Sequence, residues 1–106
     1  MEIHFHAHHA EVSEAMVRRA ERLVLRAAER IPRVVQAVVR FEQDGNTRRV
    51  TVELKAARNH GLIGTGEARY WGPALAGAIA RIEGQASRER RTLPKDRAHR
   101  QSRARL

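Results

Sequence analysis

Arg18, Arg22 and Arg26 recur every four residues. On a helix this spacing sets three guanidinium groups along one face about 6 Å apart, near the spacing of phosphates along a nucleic-acid strand. A second basic group closes the chain: residues 81–106 hold Arg81, Arg88, Arg90, Arg91, Lys95, Arg97, Arg100, Arg103 and Arg105 against Glu83, Glu89 and Asp96. The planar fork of arginine meets phosphate oxygens bidentately and stacks on bases, which an ammonium does less well. Taken singly, Arg18 and Arg22 read as solvent-facing partners of Glu14, Glu21 or Glu29. Taken with a second helix and a tail too poor in acids to balance them, the arginines read as a surface for a polyanion.

Histidine offers a different chemistry. His4, His6 and His8 share one face of an extended segment and His9 follows, so chelation of a metal is a weaker alternative. Only Glu2 and Glu11 stand nearby to complete a shell, and the chain has no cysteine, so structural or RNA-contacting histidines are preferred. Catalytic patterns are missing. Gly61-Leu62-Ile63-Gly64-Thr65-Gly66 lacks the lysine and helix start of a phosphate loop, and neither a nucleophile elbow nor a spaced carboxylate pair occurs. No enzyme activity, cofactor or small-molecule substrate is therefore expected. Tyr70 and Trp71 can stack on a base, although packing against the core is the preferred reading for the pair.

The elements that must position these residues follow from periodicity. Met1, Ile3, Phe5 and Ala7 alternate with Glu2, His4 and His6, which predicts a half-buried strand. Ser13 suits a helix N-cap, and Met16, Ala20, Leu23, Val24, Ala27 and Ile31 form one apolar stripe ended by Pro32. Val35, Ala37, Val39 and Phe41 predict the inward face of a second strand over Val34 to Glu42. Asp44-Gly45-Asn46 signals a hairpin turn into a third strand with Val50, Val52, Leu54 and Ala56 on one face. Leu62 to Ala68 predicts a fourth strand weakened by Gly64 and Gly66. Gly72-Pro73 starts a second helix with Leu75, Ala78, Ile79 and Ile82 buried, running to about Arg91 and weakened by Gly77 and Gly84.

The order predicts an α+β fold: a two-layer βαβββα sandwich, a four-stranded mixed sheet with two helices on one face, and a basic C-terminal tail. Residues 1–94 are expected to form the domain, and 95–106, with almost nothing to bury, a disordered tail. The 106 residues suit one core, and 42% hydrophobic composition makes it attainable without disulfides. No apolar run reaches the roughly 18 residues of a membrane span, so a soluble, cytoplasmic protein is expected. The formal charge of +9, from 21 Lys and Arg against 12 Asp and Glu, points to nucleic acid.

Several strings resemble the ribosome hibernation promoting factor family, the ribosome-associated inhibitors or sigma-54 modulation proteins, in its short form. Met1-Glu2-Ile3-His4-Phe5-His6-Ala7-His8-His9 with Glu11-Val12-Ser13-Glu14-Ala15-Met16 is similar to the family's first strand and helix entry. Val50-Thr51-Val52-Glu53-Leu54 takes the place of its third strand, and Arg81-Ile82-Glu83-Gly84-Gln85-Ala86 that of a basic string on its second helix. Tyr70-Trp71-Gly72 and Gly84 depart from the family pattern. The resemblance implies a bacterial stationary-phase or stress-response protein that binds 16S rRNA in the small-subunit decoding cleft and occludes messenger RNA and tRNA. A monomer is expected, without the dimerisation domain of longer members. The carried-over RNA-binding residues are Arg81, Arg88 and Arg90, then Arg18, Arg22 and Arg26; Arg91 and Lys95 join them on charge. A general double-stranded RNA or DNA binder is the alternative.

Overall fold

In the computed structural model the described residues are 1–57 and 60–91, with the backbone alone at 60 and 89–91. The elements run β1 (Glu2–His8), α1 (Glu14–Ala28), β2 (Val34–Asp44), β3 (Thr47–Ala56), β4 (His60–Ala68) and α2 (Trp71–Arg91). The strands lie in the order β1-β2-β3-β4, with β1 parallel to β2 and the remaining pairs antiparallel. This is the expected two-layer βαβββα sandwich. None of the described helices is long and apolar enough to cross a membrane.

Local chemistry accounts for the boundaries. Ser13 Oγ accepts the Met16 N–H at 3.1 Å and so satisfies a donor that the first helical turn leaves free. At the other end the chain tightens, with Arg30 N donating to Ala27 O and Ile31 N to Ala28 O, three residues before Pro32 would forbid helix. Gly45, at φ +62°, turns β2 into β3 in a conformation that costs other residues more.

The core is the inward stripe of each element: Ala20, Val24 and Ala27 of α1, Val39 and Phe41 of β2, Val50, Val52 and Leu54 of β3, and Leu75, Ala78, Ile79 and Ile82 of α2. Two expectations need correction. Val35 points outward, 54% exposed, while Val34 packs on the core, because the register with β3 slips between Val34 and Gln36 and a bulge inverts the alternation there. Met1 and Ala7 are exposed, since β1 is an edge strand and only Ile3 and Phe5 pack partly on the core.

The fourth strand is stronger than its glycines imply. A Cβ at Gly64 would stand 2.5 Å from Ala78 O, and one at Gly66 would overlap Ala74 O and stand 2.7 Å from Ala78 N. Gly77 of α2 faces back toward this strand, where a Cβ would meet the Cα of Gly66 at an ordinary 3.5 Å. Glycine here permits helix and strand backbones to touch, and that contact seats α2 on the sheet.

Candidate nucleic-acid interface

The two surfaces of the sandwich differ in charge. Alternation and register set Glu2, Glu42, Asp44, Glu53 and Glu67 with Arg40, Arg49 and Lys55 on the sheet face that no helix covers. Arg40 pairs with Glu53 at 3.7 Å, while Arg49 pairs with Glu42 at 3.6 Å and donates from Nε to Glu67 at 2.7 Å. The hydrogen bond and charge of Glu67 raise the Arg49 pKa above the usual guanidinium value, against desolvation and with a lesser contribution from Glu42. Five acids against three bases leave this face with none of the molecule's positive excess. The excess of +9 therefore lies outside this face.

On α1, Arg18, Arg22 and Arg26 are all exposed. Arg18 leans to Glu14, its Nη1 at 3.9 Å from the carboxylate, and Arg26 sits in the last turn, where the helix dipole favours a cation. Arg19 was not singled out from sequence. It is exposed, lies along the helix from Arg22 and Arg26 at spacings of three and seven, and brings Nη1 within 3.6 Å of the position a Cβ would take at Gly72. The flank of α1 that faces the start of α2 thus carries Arg19.

Arg81 behaves differently. Its Nη1 donates to Thr65 O, and Gln85, one turn on, takes both free backbone groups of Ile63: Nε2 donates to Ile63 O at 2.6 Å and Oε1 accepts Ile63 N at 3.2 Å. These side chains close the outer edge of β4, on the flank of α2 away from α1. Arg81 and the α1 arginines therefore do not face one another across a groove. Both rows lie in the helical layer, but α2 stands between them. Arg88 is exposed and folds back toward Gly84, with Nη1 3.7 Å from its would-be Cβ. Arg90 and Arg91 belong to α2 by backbone alone, and Lys95 and the rest of the expected tail lie outside the described residues.

The aromatic pair divides. Trp71 meets Phe41 edge-on at 5.4 Å between ring centroids, donates Nε1 to Glu11 O at 3.2 Å, and has the Arg48 guanidinium 5.6 Å from its ring centre. Arg48 also donates to Arg69 O, and its Nε is buried without a partner among the described residues. Tyr70 does not join this packing; it is 68% exposed. Beside Arg48 lies an open polar recess lined by His9, Ala10, Glu11, Gln43, Gly45 and Arg48.

The histidines do not converge. His4, His6 and His8 step along β1 on the uncovered face, one every second residue. His4 Nε2 lies 3.3 Å from Glu2, and His9, at φ +52°, sets its ring edge-on to His8 at 4.2 Å. Among the described residues no three His, Cys, Asp or Glu side chains are grouped to hold a metal.

No family model matches the sequence, and neither does any curated protein. Solved structures do match in fold. A ribosomal subunit interface protein from Coxiella burnetii superposes with a TM-score of 0.77 at 14% identity, over 85% of this chain and 98% of that one. The N-terminal domain of Thermus thermophilus Protein Y superposes with a TM-score of 0.73 at 19% identity, over 83% and 98%. The fold implied by the resemblance to the hibernation promoting factors is the fold this chain adopts.

Proposed function

We propose that this chain is a cytoplasmic, non-catalytic ribosome-binding protein whose helical layer and C-terminal segment grip the phosphate backbone of small-subunit rRNA. Bound in the decoding cleft, it would occlude messenger RNA and tRNA and hold the subunit idle, as expected of a bacterial stress or stationary-phase factor. One observation carries the reading: the uncovered sheet face is neutralised by its own ion pairs, while Arg18, Arg19, Arg22, Arg26 and Arg88 stand exposed on the helices. A phosphate surface selects such an arrangement, whereas an acidic small molecule would need a closed pocket. A protein that shares the fold is a ribosomal subunit interface protein, which favours the ribosome over other polyanions. In this reading residues 1–94 form the binding domain and 95–106 add charge.

Co-sedimentation with purified small subunits through sucrose, at about 150 mM salt, tests it against free RNA and DNA duplexes. Retention on subunits with weak duplex binding is expected. Arg22→Glu with Arg26→Glu should release the protein from subunits and flatten its log-affinity against log-salt slope by about two. Equal binding to any duplex would replace this reading with the general double-stranded binder.

A further inference from the structure

We propose that the junction of β4 and α2 is a stacking subsite for one unpaired nucleobase, with Tyr70 as its platform. The inference rests on the nucleic-acid reading above and adds the form of the ligand: a loop or bulge whose base is free of the helix.

Among the described residues Tyr70, at 68%, is more exposed than any other large hydrophobic side chain, Met1, Leu25, Val35 and Ile63 included. A single exposed apolar side chain needs no explanation by itself. What distinguishes this one is its setting. The backbone on both sides is held: Arg48 donates to Arg69 O, Ala74 N donates to Tyr70 O at 3.3 Å, and Trp71 is fastened to Phe41 and to Glu11 O. The ring therefore projects from a rigid base while the neighbouring indole does the packing.

Three arginines bear on this junction. Arg69 precedes Tyr70, Arg48 is bound to the carbonyl just before it, and Arg19 reaches across from α1 to Gly72, two residues on. Arg48, which holds the Arg69 carbonyl, also walls a recess with His9, Glu11 and Gln43, which offers both donors and acceptors to the edge of a base. An aromatic face, flanking guanidinium groups and polar edge contacts are the parts by which single-stranded nucleic acid is held. A duplex cannot use them, because its bases are stacked inside.

The test compares a labelled single-stranded RNA of about ten nucleotides with a hairpin stem of the same composition, by fluorescence anisotropy at one salt concentration, a length within usual single-strand site sizes. Tyr70→Ala should weaken single-strand binding about five- to hundredfold and leave stem binding unchanged, while Tyr70→Trp should keep both. Leu25→Ala, an exposed change on α1, should alter neither. As a second readout on the unsubstituted protein, 2-aminopurine in the single strand should be quenched on binding. If both RNAs bind and Tyr70→Ala changes nothing, or no quenching occurs, the subsite is wrong and the nucleic-acid reading stands. If neither RNA binds, both fall together.

Discussion

Alanine at Gly66 should destabilise this protein more than most single methyl additions. The new Cβ would overlap Ala74 O and stand 2.7 Å from Ala78 N, where ordinary contact begins at 3.4 Å. Both obstacles are backbone of α2, so no side chain can swing aside and the helix must retreat by roughly 0.7 Å or more, enough to forfeit a quarter or more of each dispersion contact across the gap. Those contacts belong to Leu75, Ala78, Ile79 and Ile82, all buried. Overpacking of a tight core costs about 1–3 kcal/mol, and the rigid neighbours put Gly66→Ala at the upper end, a fall in Tm of about 12–24 °C for a domain of this size. Thermal unfolding followed by circular dichroism at 222 nm measures it. Gly61→Ala is the control, since its Cβ would meet Leu54 O at an ordinary 3.4 Å, and it should shift stability by about 0.5 kcal/mol or less. A Gly66→Ala protein melting within about 3 °C of the parent would refute the reasoning that β4 glycines exist to seat α2.

Gln85→Ala should cost about 1 kcal/mol in urea unfolding and, by freeing the Ile63 backbone at the sheet edge, raise light scattering on storage; unchanged scattering would show that Gln85 does not guard the edge. Ser13→Ala should lower stability by about 1 kcal/mol through loss of the α1 cap, which the same titration reads. Arg88→Glu combined with Arg90→Glu should leave the melting curve in place and weaken pelleting with small subunits; full retention would remove the end of α2 from the interface.

Much of the fold was legible because alternation and helical spacing survive translation into burial: the α2 stripe of Leu75, Ala78, Ile79 and Ile82 is buried throughout, and Ser13 caps where expected. The bulge at Val34/Gln36 was not, since one extra residue in a strand leaves no compositional mark. Gly64 and Gly66 read as weaknesses because propensity describes isolated segments, whereas here two backbones approach too closely for any Cβ. The site was legible in kind and less so in place. Arginine spacing located a row on α1, but whether an arginine faces solvent or a carbonyl depends on its neighbour in space. Arg81 found Thr65 O, and Arg19 was passed over because its row crosses the four-residue repeat. The Tyr70-Trp71 pair held no local hint of which ring the core would take.

Because acids outnumber bases on the uncovered face of the sheet while Arg18, Arg19, Arg22 and Arg26 stand in the helical layer, the described residues carry their charge unevenly across the sheet. Near a large polyanion such a body rotates before it touches, within about the 8 Å reach of unscreened fields at cellular ionic strength. Collisions are thus filtered by orientation in advance: the sheet side is turned outward to solvent, and fewer encounters are spent on the wrong face.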